Sequence, residues 1–274
     1  MFEGDITLED SQKNYMTDDN LRILNAFRLM DDDFMNLVFN ENYEAVELLL
    51  NIILERNDIE VKRVEIQKEE KSPVIGGRSI TLDIFAMDST GKNYDIEVQR
   101  ADRGAGFKRA RIHSSALDSR IMKAGQDFED VDDSYVVFIT ENDVVGLGLP
   151  MYHDERVILE DNRLANDGSH IIYVNGAYKN DEDPVGRLMH DFRCTSASDM
   201  FYDVLASQVR FFKETEGGQE QVCKMIEDER DKTRIALLFE NIKNIMEETK
   251  WSLEKAMSVL KVSDKDRATL SKMF

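Results

Sequence analysis

Residues Ile80–Met87 and Asn93–Gln99 each alternate apolar and polar side chains with period two, on either side of Asp88-Ser89-Thr90-Gly91-Lys92. Two such arms around a Ser/Thr/Gly cluster define a β-hairpin, and they force a sheet into the middle of whatever this chain folds into. A three-residue Ser89-Thr90-Gly91 loop, with Gly91 in the left-handed position, pairs Met87 with Asn93. Counting back along the ladder sets Phe85 against Asp95, Asp83 against Glu97 and Thr81 against Gln99. One face then carries Leu82, Ile84, Ala86, Tyr94, Ile96 and Val98, and needs a core. The other presents Asp83, Glu97 and Gln99 together, with Asp95 read as a polar surface residue near the turn.

Opposed residues of an antiparallel pair hold their Cβ atoms about 5 Å apart, and like charges there destabilise the pair. Two carboxylates at that separation repel by roughly 3 kcal/mol at an effective dielectric of about 20. A hard divalent cation reverses the sign, and Mg²⁺ is typically held by one or two carboxylates with waters and phosphates. The competing reading is a solvated sheet face whose charges never approach each other.

The flanking sequence supplies the layers. A helix is expected from Asp18 or Asp19 toward Met30, and a second from about Met35 to Glu55, interrupted near Asn40-Glu41-Asn42. Ile59–Gln67 alternates as a first strand, Lys68–Pro73 is a polar connection, and Gly76-Gly77 opens the Asp83 strand. Ala105–Ala124 reads as a basic amphipathic helix with Phe107, Ala110, Ser114, Leu117 and Ile121 inward and Gly125 as its stop. Tyr135–Thr140 is a continuous apolar run, as in a buried parallel strand. Helix, three-stranded antiparallel meander, helix and strand make an α/β layering. Arg156–Glu160 and His170–Asn175 are expected to add a hairpin through Asn166-Asp167-Gly168.

The Asp83 strand followed by Glu97-Val98-Gln99 resembles the Asp…Glu-x-Lys signature of the PD-(D/E)XK nuclease fold, with Gln in the Lys position. More closely, it is similar to the PD-(D/E)XK nuclease-family transposases, the Rpn-type recombination-promoting nucleases, in which Gln commonly follows the Glu. The likeness takes in Asp33-Phe34-Met35 to Val38-Phe39, Val46–Leu50, Gly77-Arg78-Ser79, Gly104-Ala105, Lys108–Arg111, Tyr135–Thr140, Tyr173–Gly176 and His190-Asp191-Phe192, over about residues 20–215. It implies a restriction-endonuclease-like αβββαβ core with a mixed central sheet, followed here by a C-terminal helical region. It also implies a metal-dependent endonuclease acting on DNA. Asp83, Glu97 and the Val98 carbonyl would hold Mg²⁺, with Mn²⁺ as a substitute, and Gln99 would serve beside them. In nucleases of this fold the first helix often lends an acid, and Glu44 or Glu47 stands in place to do so. No physical role is assigned to His190-Asp191-Phe192, which reads as structural.

A net charge of −20 over 274 residues opposes a nucleic-acid role, because phosphate neutralisation supplies much of that affinity. From Arg100 to Lys123, however, seven basic residues (Arg100, Arg103, Lys108, Arg109, Arg111, Arg120 and Lys123) face only Asp102 and Asp118. Screening over about 10 Å at 0.1 M salt lets that island act locally. Lys108, Arg109 and Arg111 are its expected DNA contacts; the bland alternative is a solvated helix face. Cys194 and Cys223 have no metal-type spacing and read as reduced thiols of a cytoplasmic protein, and the four histidines form no zinc motif. No secretory leader is evident, and no apolar run nears the roughly 20 residues of a membrane span.

The expected organisation is a loosely ordered arm (1–19), a nuclease-like domain (20–195) and a helical region (196–274). The helical region is expected near Met200–Lys213, Gln221–Asp228, Thr233–Glu248 and Leu253–Leu260, linked by Gly217-Gly218, with Ser263 or Asp264 capping a last helix. It is expected to serve oligomerisation or packing, because Asp264-Lys265-Asp266-Arg267 is a poor base-reading set. The alternative to an enzyme is a catalytically weak or inactive nuclease-fold module that binds or regulates.

Overall fold

A computed structural model of the chain describes residues 15–70, 80–100, 105–122 and 125–274. The expected arm up to residue 14, the connection at Ser72-Pro73, the Gly76-Gly77 opening, Arg78-Ser79, Asp102, Arg103, Gly104, Lys123 and Ala124 lie outside the described residues. The elements are α1 (Asp18–Ala26), α2 (Asp32–Phe39), α3 (Tyr43–Ile53), β1 (Val61–Glu70), β2 (Ile80–Asp88), β3 (Asn93–Gln99), α4 (Phe107–Ile121) and β4 (Ser134–Thr140). They continue with β5 (Met151–Asp154), β6 (Val157–Ile158), β7 (Arg163–Leu164), β8 (Ser169–Asn175), α5 (Pro184–Arg193), α6 (Asp203–Glu214), α7 (Glu216–Thr249), α8 (Leu253–Val259) and α9 (Asp264–Leu270). Two compact units result: residues 25–215, and residues up to Leu24 together with Glu216–Phe274.

In the larger unit a six-stranded mixed sheet runs β1-β2-β3-β4-β8-β5. β1, β2 and β3 form the expected antiparallel meander, and β3, β4 and β8 are parallel. A parallel step needs a crossover, and α4 supplies it between β3 and β4, packing on β3, β4 and β8. The helices α2 and α3 pack on β1, and α5 and α6 pack on α3.

The hairpin register is the one its turn dictates: Met87 pairs with Asn93 and Phe85 with Asp95. Gly91 has φ +94°, and Asp88 ties the turn by accepting from Thr90 N at 2.8 Å, Thr90 Oγ1 at 2.7 Å and Lys92 N at 3.1 Å. Recorded backbone pairing ends at Ile84–Ile96, short of Thr81–Gln99. Beyond it the strands are joined through side chains, as described below. The opposite edge of β2 is irregular at the same level. Gln67, at φ +50°, and Asp83 are skipped as a backbone pair between Ile66–Ile84 and Lys68–Leu82, although the register is kept. Leu82 packs with Phe85, Ala110, Leu117 and Phe138.

The half-solvated hairpin does not occur. Phe85 is 1% exposed, and Asp95 and Glu97 are 0% exposed, because helices cover both faces of these central strands. The expected Arg156–Glu160/His170–Asn175 hairpin is also replaced. β6 pairs with β7 in a separate two-stranded ribbon, whereas β8 lies between β4 and β5. Pro150 and Leu149 carbonyls, which accept from Asn175 N and Nδ2, fix β5 there. On α4 the inward residues are Ala110, His113, Ser114 and Leu117, while Phe107 is largely exposed. The Lys213 ammonium closes the unit by donating to the carbonyls of Asn25, Phe27 and Thr195 at 3.2, 2.6 and 2.6 Å. Burial pushes its pKa down to about 8.

In the smaller unit, Gly217-Gly218 starts a single 34-residue helix instead of linking two, because α7 runs unbroken through the expected gap at 229–232. Ser263 caps α9 as expected by accepting from Asp266 N. Ile242, Ala256, Met257, Val262 and Leu270 form its core.

A buried acidic cluster as candidate active site

Alternation along β3 sends Asp95, Glu97 and Gln99 to one side, and β2 brings Asp83 alongside. Glu97 Oε1 accepts from Asp83 N at 3.0 Å, and Asp83 Oδ2 accepts from Val98 N at 3.3 Å. Two side chains thus replace the backbone rungs where pairing lapses. Asp83 Oδ1 also accepts from Gln67 Nε2 at 3.2 Å, so the positive-φ residue of β1 is tied to the site. Within a strand the N–H and C=O of one residue share an edge, which directs the Val98 carbonyl toward the Asp83 side.

From α4, Arg109 and His113 stand one turn apart on the face that meets this cluster. Arg109 Nη2 donates to Glu97 Oε2 at 2.7 Å, Nη1 to Gln99 Oε1 at 3.1 Å, and Nε to His113 Nε2 at 3.3 Å. Because arginine keeps its protons, His113 Nε2 must be the acceptor. The imidazole proton then sits on Nδ1 and donates to Asp95 Oδ2 at 2.9 Å, which assigns the tautomer from the network. Burial holds the His113 pKa below its ordinary value, in keeping with a neutral ring.

Burial, then the charge of Glu97 and that of Asp32, pushes Asp83 up to about 7. Burial, then Asp95, pushes Glu97 up to about 7, and burial raises Asp95 well above the carboxylate range. Asp95 Oδ1 is buried with no hydrogen-bond partner. Three buried carboxyls with one orphaned oxygen are the environment a cation relieves. The donor set fits a divalent ion. Asp83 and Glu97 are all-oxygen donors beside the Val98 carbonyl, and ligand atoms of Asp95, Glu97 and His113 lie within 4.8 Å of one another.

A cavity of about 390 Å³ next to the cluster is lined by Asp31, Asp32, Asp33, Val98, Gln99 and Arg100 with Phe27 and Met30. Asp32, in the first turn of α2, has its own pKa raised by burial, and its charge acts on Asp83. The helix-borne acid is thus Asp32. Glu44 is exposed, and Glu47 Oε1 accepts from Val61 N at 2.8 Å, which ties α3 to β1. Among the described contacts, none brings either glutamate to Asp83 or Glu97.

The structure brings Asp83, Glu97, Val98 and Gln99 together, and Arg109 with them. Lys108 and Arg111 are exposed and line a separate cavity of about 280 Å³ with Phe107, Asp154 and Arg156. Arg120 instead stacks on Phe85, 3.8 Å from the ring centroid, and Arg100 pairs with Asp31 at 2.8 Å. The basic island is therefore several sites on different faces. Asp95, His113 and Asp32 escaped sequence reasoning. The signals were present: Asp95 has the parity of Glu97, and His113 lies four residues beyond Arg109.

A second group of potential ligands is His190, Asp191 and Cys194, and its carboxylate is already engaged. Both Asp191 oxygens accept backbone N–H groups, from Phe201 at 2.8 Å and Tyr202 at 2.9 Å, and burial pushes the Cys194 thiol up to about 11.

A meander that delivers Asp and Glu-x-Gln from adjacent strands to a helix-covered acidic pocket defines a PD-(D/E)XK-type nuclease fold. Residues 30–176 match the family model of the PD-(D/E)XK nuclease family transposases, and the chain belongs to that family. No curated protein and no solved structure matches it. The match runs from just before α2 to just past the end of β8, so it covers Asp32, Asp83, Asp95, Glu97, Gln99, Arg109 and His113; the role that membership carries is nuclease-like. Among the described residues, no helix is long and apolar enough to cross a membrane.

Proposed function

We propose that the protein is a metal-dependent endonuclease that hydrolyses phosphodiester bonds in DNA, with Mg²⁺ as the ion and Mn²⁺ as a substitute. The observation that carries this reading is the convergence of buried Asp83 and Glu97, both raised to about 7, beside an acid-lined cavity. Asp83, Glu97 and the Val98 carbonyl hold the ion. Bound there, it supplies Lewis-acid polarisation of the phosphoryl group and lowers the pKa of a ligated water.

The chain's own residues do the rest. Glu97 is oriented from both sides, by Asp83 N and by Arg109, which aims its carboxylate before an ion arrives. Gln99 offers an amide to the attacking water or to a phosphate oxygen, without charge. Lys108 and Arg111 contact flanking phosphates, which positions the duplex and carries no sequence information. The nuclease-like domain is assigned to residues 20–195. The C-terminal helices, outside the family match, are assigned to self-association, which light scattering of the intact chain reads directly.

Supercoiled plasmid incubated with Mg²⁺, Mn²⁺ or EDTA tests the proposal. Nicking is expected with either metal, and is lost in EDTA and in Asp83→Ala and Glu97→Ala. Nicking that survives EDTA or both substitutions would falsify the assignment. A non-catalytic nuclease-fold module is favoured by the net charge of −20. Metal-dependent DNA binding without nicking would select it.

A further inference from the structure

The acidic cluster holds ligand atoms of Asp95 and Glu97 within 4.8 Å of each other, with Asp83 bound to Glu97 through its own N–H and to Val98 N–H through its carboxylate, and a phosphodiester brings more negative charge to it. Gln99 contributes none of the positive charge that such a substrate requires. The cation in contact with both Glu97 and Gln99 comes from the next helix. We propose that Arg109 is a further catalytic residue, whose guanidinium neutralises Glu97 in the resting site and bonds the scissile phosphate in the working one. The inference rests on the nuclease reading above.

Three observations carry it. First, the Arg109 side chain is 38% exposed, although the groups it binds are buried: Glu97 at 0% and His113 at 5%. Its inner side faces the cluster and its outer side faces solvent, which is where a substrate arrives. Second, its hydrogen bonds are incomplete. A guanidinium has five N–H donors, and among the described residues three are committed, one each to Glu97, Gln99 and His113. The two remaining hydrogens, one on each terminal nitrogen, can be donated to phosphate oxygens. Third, its position is enforced. Ala110 and Leu117 seat α4 in the core, and the guanidinium carbon lies 5.8 Å from the centroid of the Phe138 ring. Lys108 and Arg111 project from other faces of the same helix into a different cavity. They are contacts of the flank, and Arg109 is a group of the centre.

This arrangement predicts two opposite effects of one substitution. Removing Arg109 removes a donor to the developing phosphoryl charge, which is worth about 100-fold in rate in comparable sites. It also removes the cation that competes with a divalent ion for Glu97 Oε2. Arg109→Ala is therefore expected to nick plasmid about 100-fold more slowly, yet to bind Mn²⁺ without DNA several-fold more tightly, read as the half-saturating concentration in a thermal-shift titration. Gln99→Lys in the Arg109→Ala background is expected to restore most of the lost rate, because it returns a cation to the same place from β3.

Arg109→Ala that nicks within twofold of wild type, while Asp83→Ala is inactive, overturns the inference and leaves the nuclease reading standing. Nicking by Asp83→Ala at the wild-type rate removes the reading and the inference together. A slow Arg109→Ala variant whose Mn²⁺ half-saturation is unchanged or weaker, and which Gln99→Lys does not rescue, makes Arg109 a structural prop and also overturns the inference.

Discussion

Asp83→Asn should stabilise the metal-free protein and inactivate it. The carboxyl of Asp83 is 8% exposed, faces Glu97 and feels Asp32, and its pKa is pushed from the usual range near 3.9 up to about 7. Each unit is 1.36 kcal/mol, so keeping this group ionised in the fold costs on the order of 4 kcal/mol above pH 7. The sign follows from linkage. The folded pKa lies above the unfolded one, so the native state binds the extra proton and loses stability as pH rises from about 4 to about 7. An asparagine keeps an oxygen for Val98 N–H or Gln67 but turns an amide toward one of them. About half the gain, roughly 2 kcal/mol, should survive. For a unit of this size that is a rise of about 4–8 °C in Tm. Differential scanning fluorimetry in EDTA at pH 8 reads the gain directly. At pH 5 the wild-type carboxyl is already neutral in the fold, and the gain should shrink to less than half. An asparagine variant that melts at or below wild type at pH 8, or gains equally at both pH values, would refute the argument from buried charge.

Two further outcomes test the frame around the site. Lys213→Met strips the donors from three carbonyls that converge on one ammonium and should cost about 2 kcal/mol in urea unfolding; an unchanged midpoint would mean that water replaces the ammonium without loss. At Asp88 burial works to raise the pKa, but hydrogen bonds from Thr90 and Tyr94 prevail and lower it, so its contribution is present at neutral pH and lost as pH falls below the ordinary carboxylate range. Asp88→Asn should cost about 1 kcal/mol at pH 7 and much less near pH 3, and a penalty independent of pH would contradict that assignment.

The hairpin was legible because its two signals, alternation and turn chemistry, are local. The same residues that fixed the Met87–Asn93 register carried Asp83 to Glu97. What sequence did not reveal was burial on the second face, which depends on α4 folding back over β3 and β4. That single tertiary fact turned Asp95 from a surface acid into a buried one and made a site residue of His113. The acid from the first helix of the core failed for a related reason. Glu47 had the right type and a plausible face, but the start of β1 claims its carboxylate at Val61 N, and the first turn of α2 comes nearer to Asp83. The hairpin assigned to residues 156–175 went wrong because Asn166-Asp167-Gly168 is a good turn that joins a short ribbon to β8 instead of joining two sheet neighbours.

Phe34 and Phe39, deep in the apolar centre of the larger unit, meet rings that lie beyond the stretch matched by the family: Phe212 at 6.2 Å and Phe192 at 6.1 Å. The segment that evolution passes on as a module and the segment that can stand alone in water are therefore different lengths. Anyone excising the matched stretch at Gly176 would leave its innermost aromatic residues without their lids, and would be studying a wound rather than a domain.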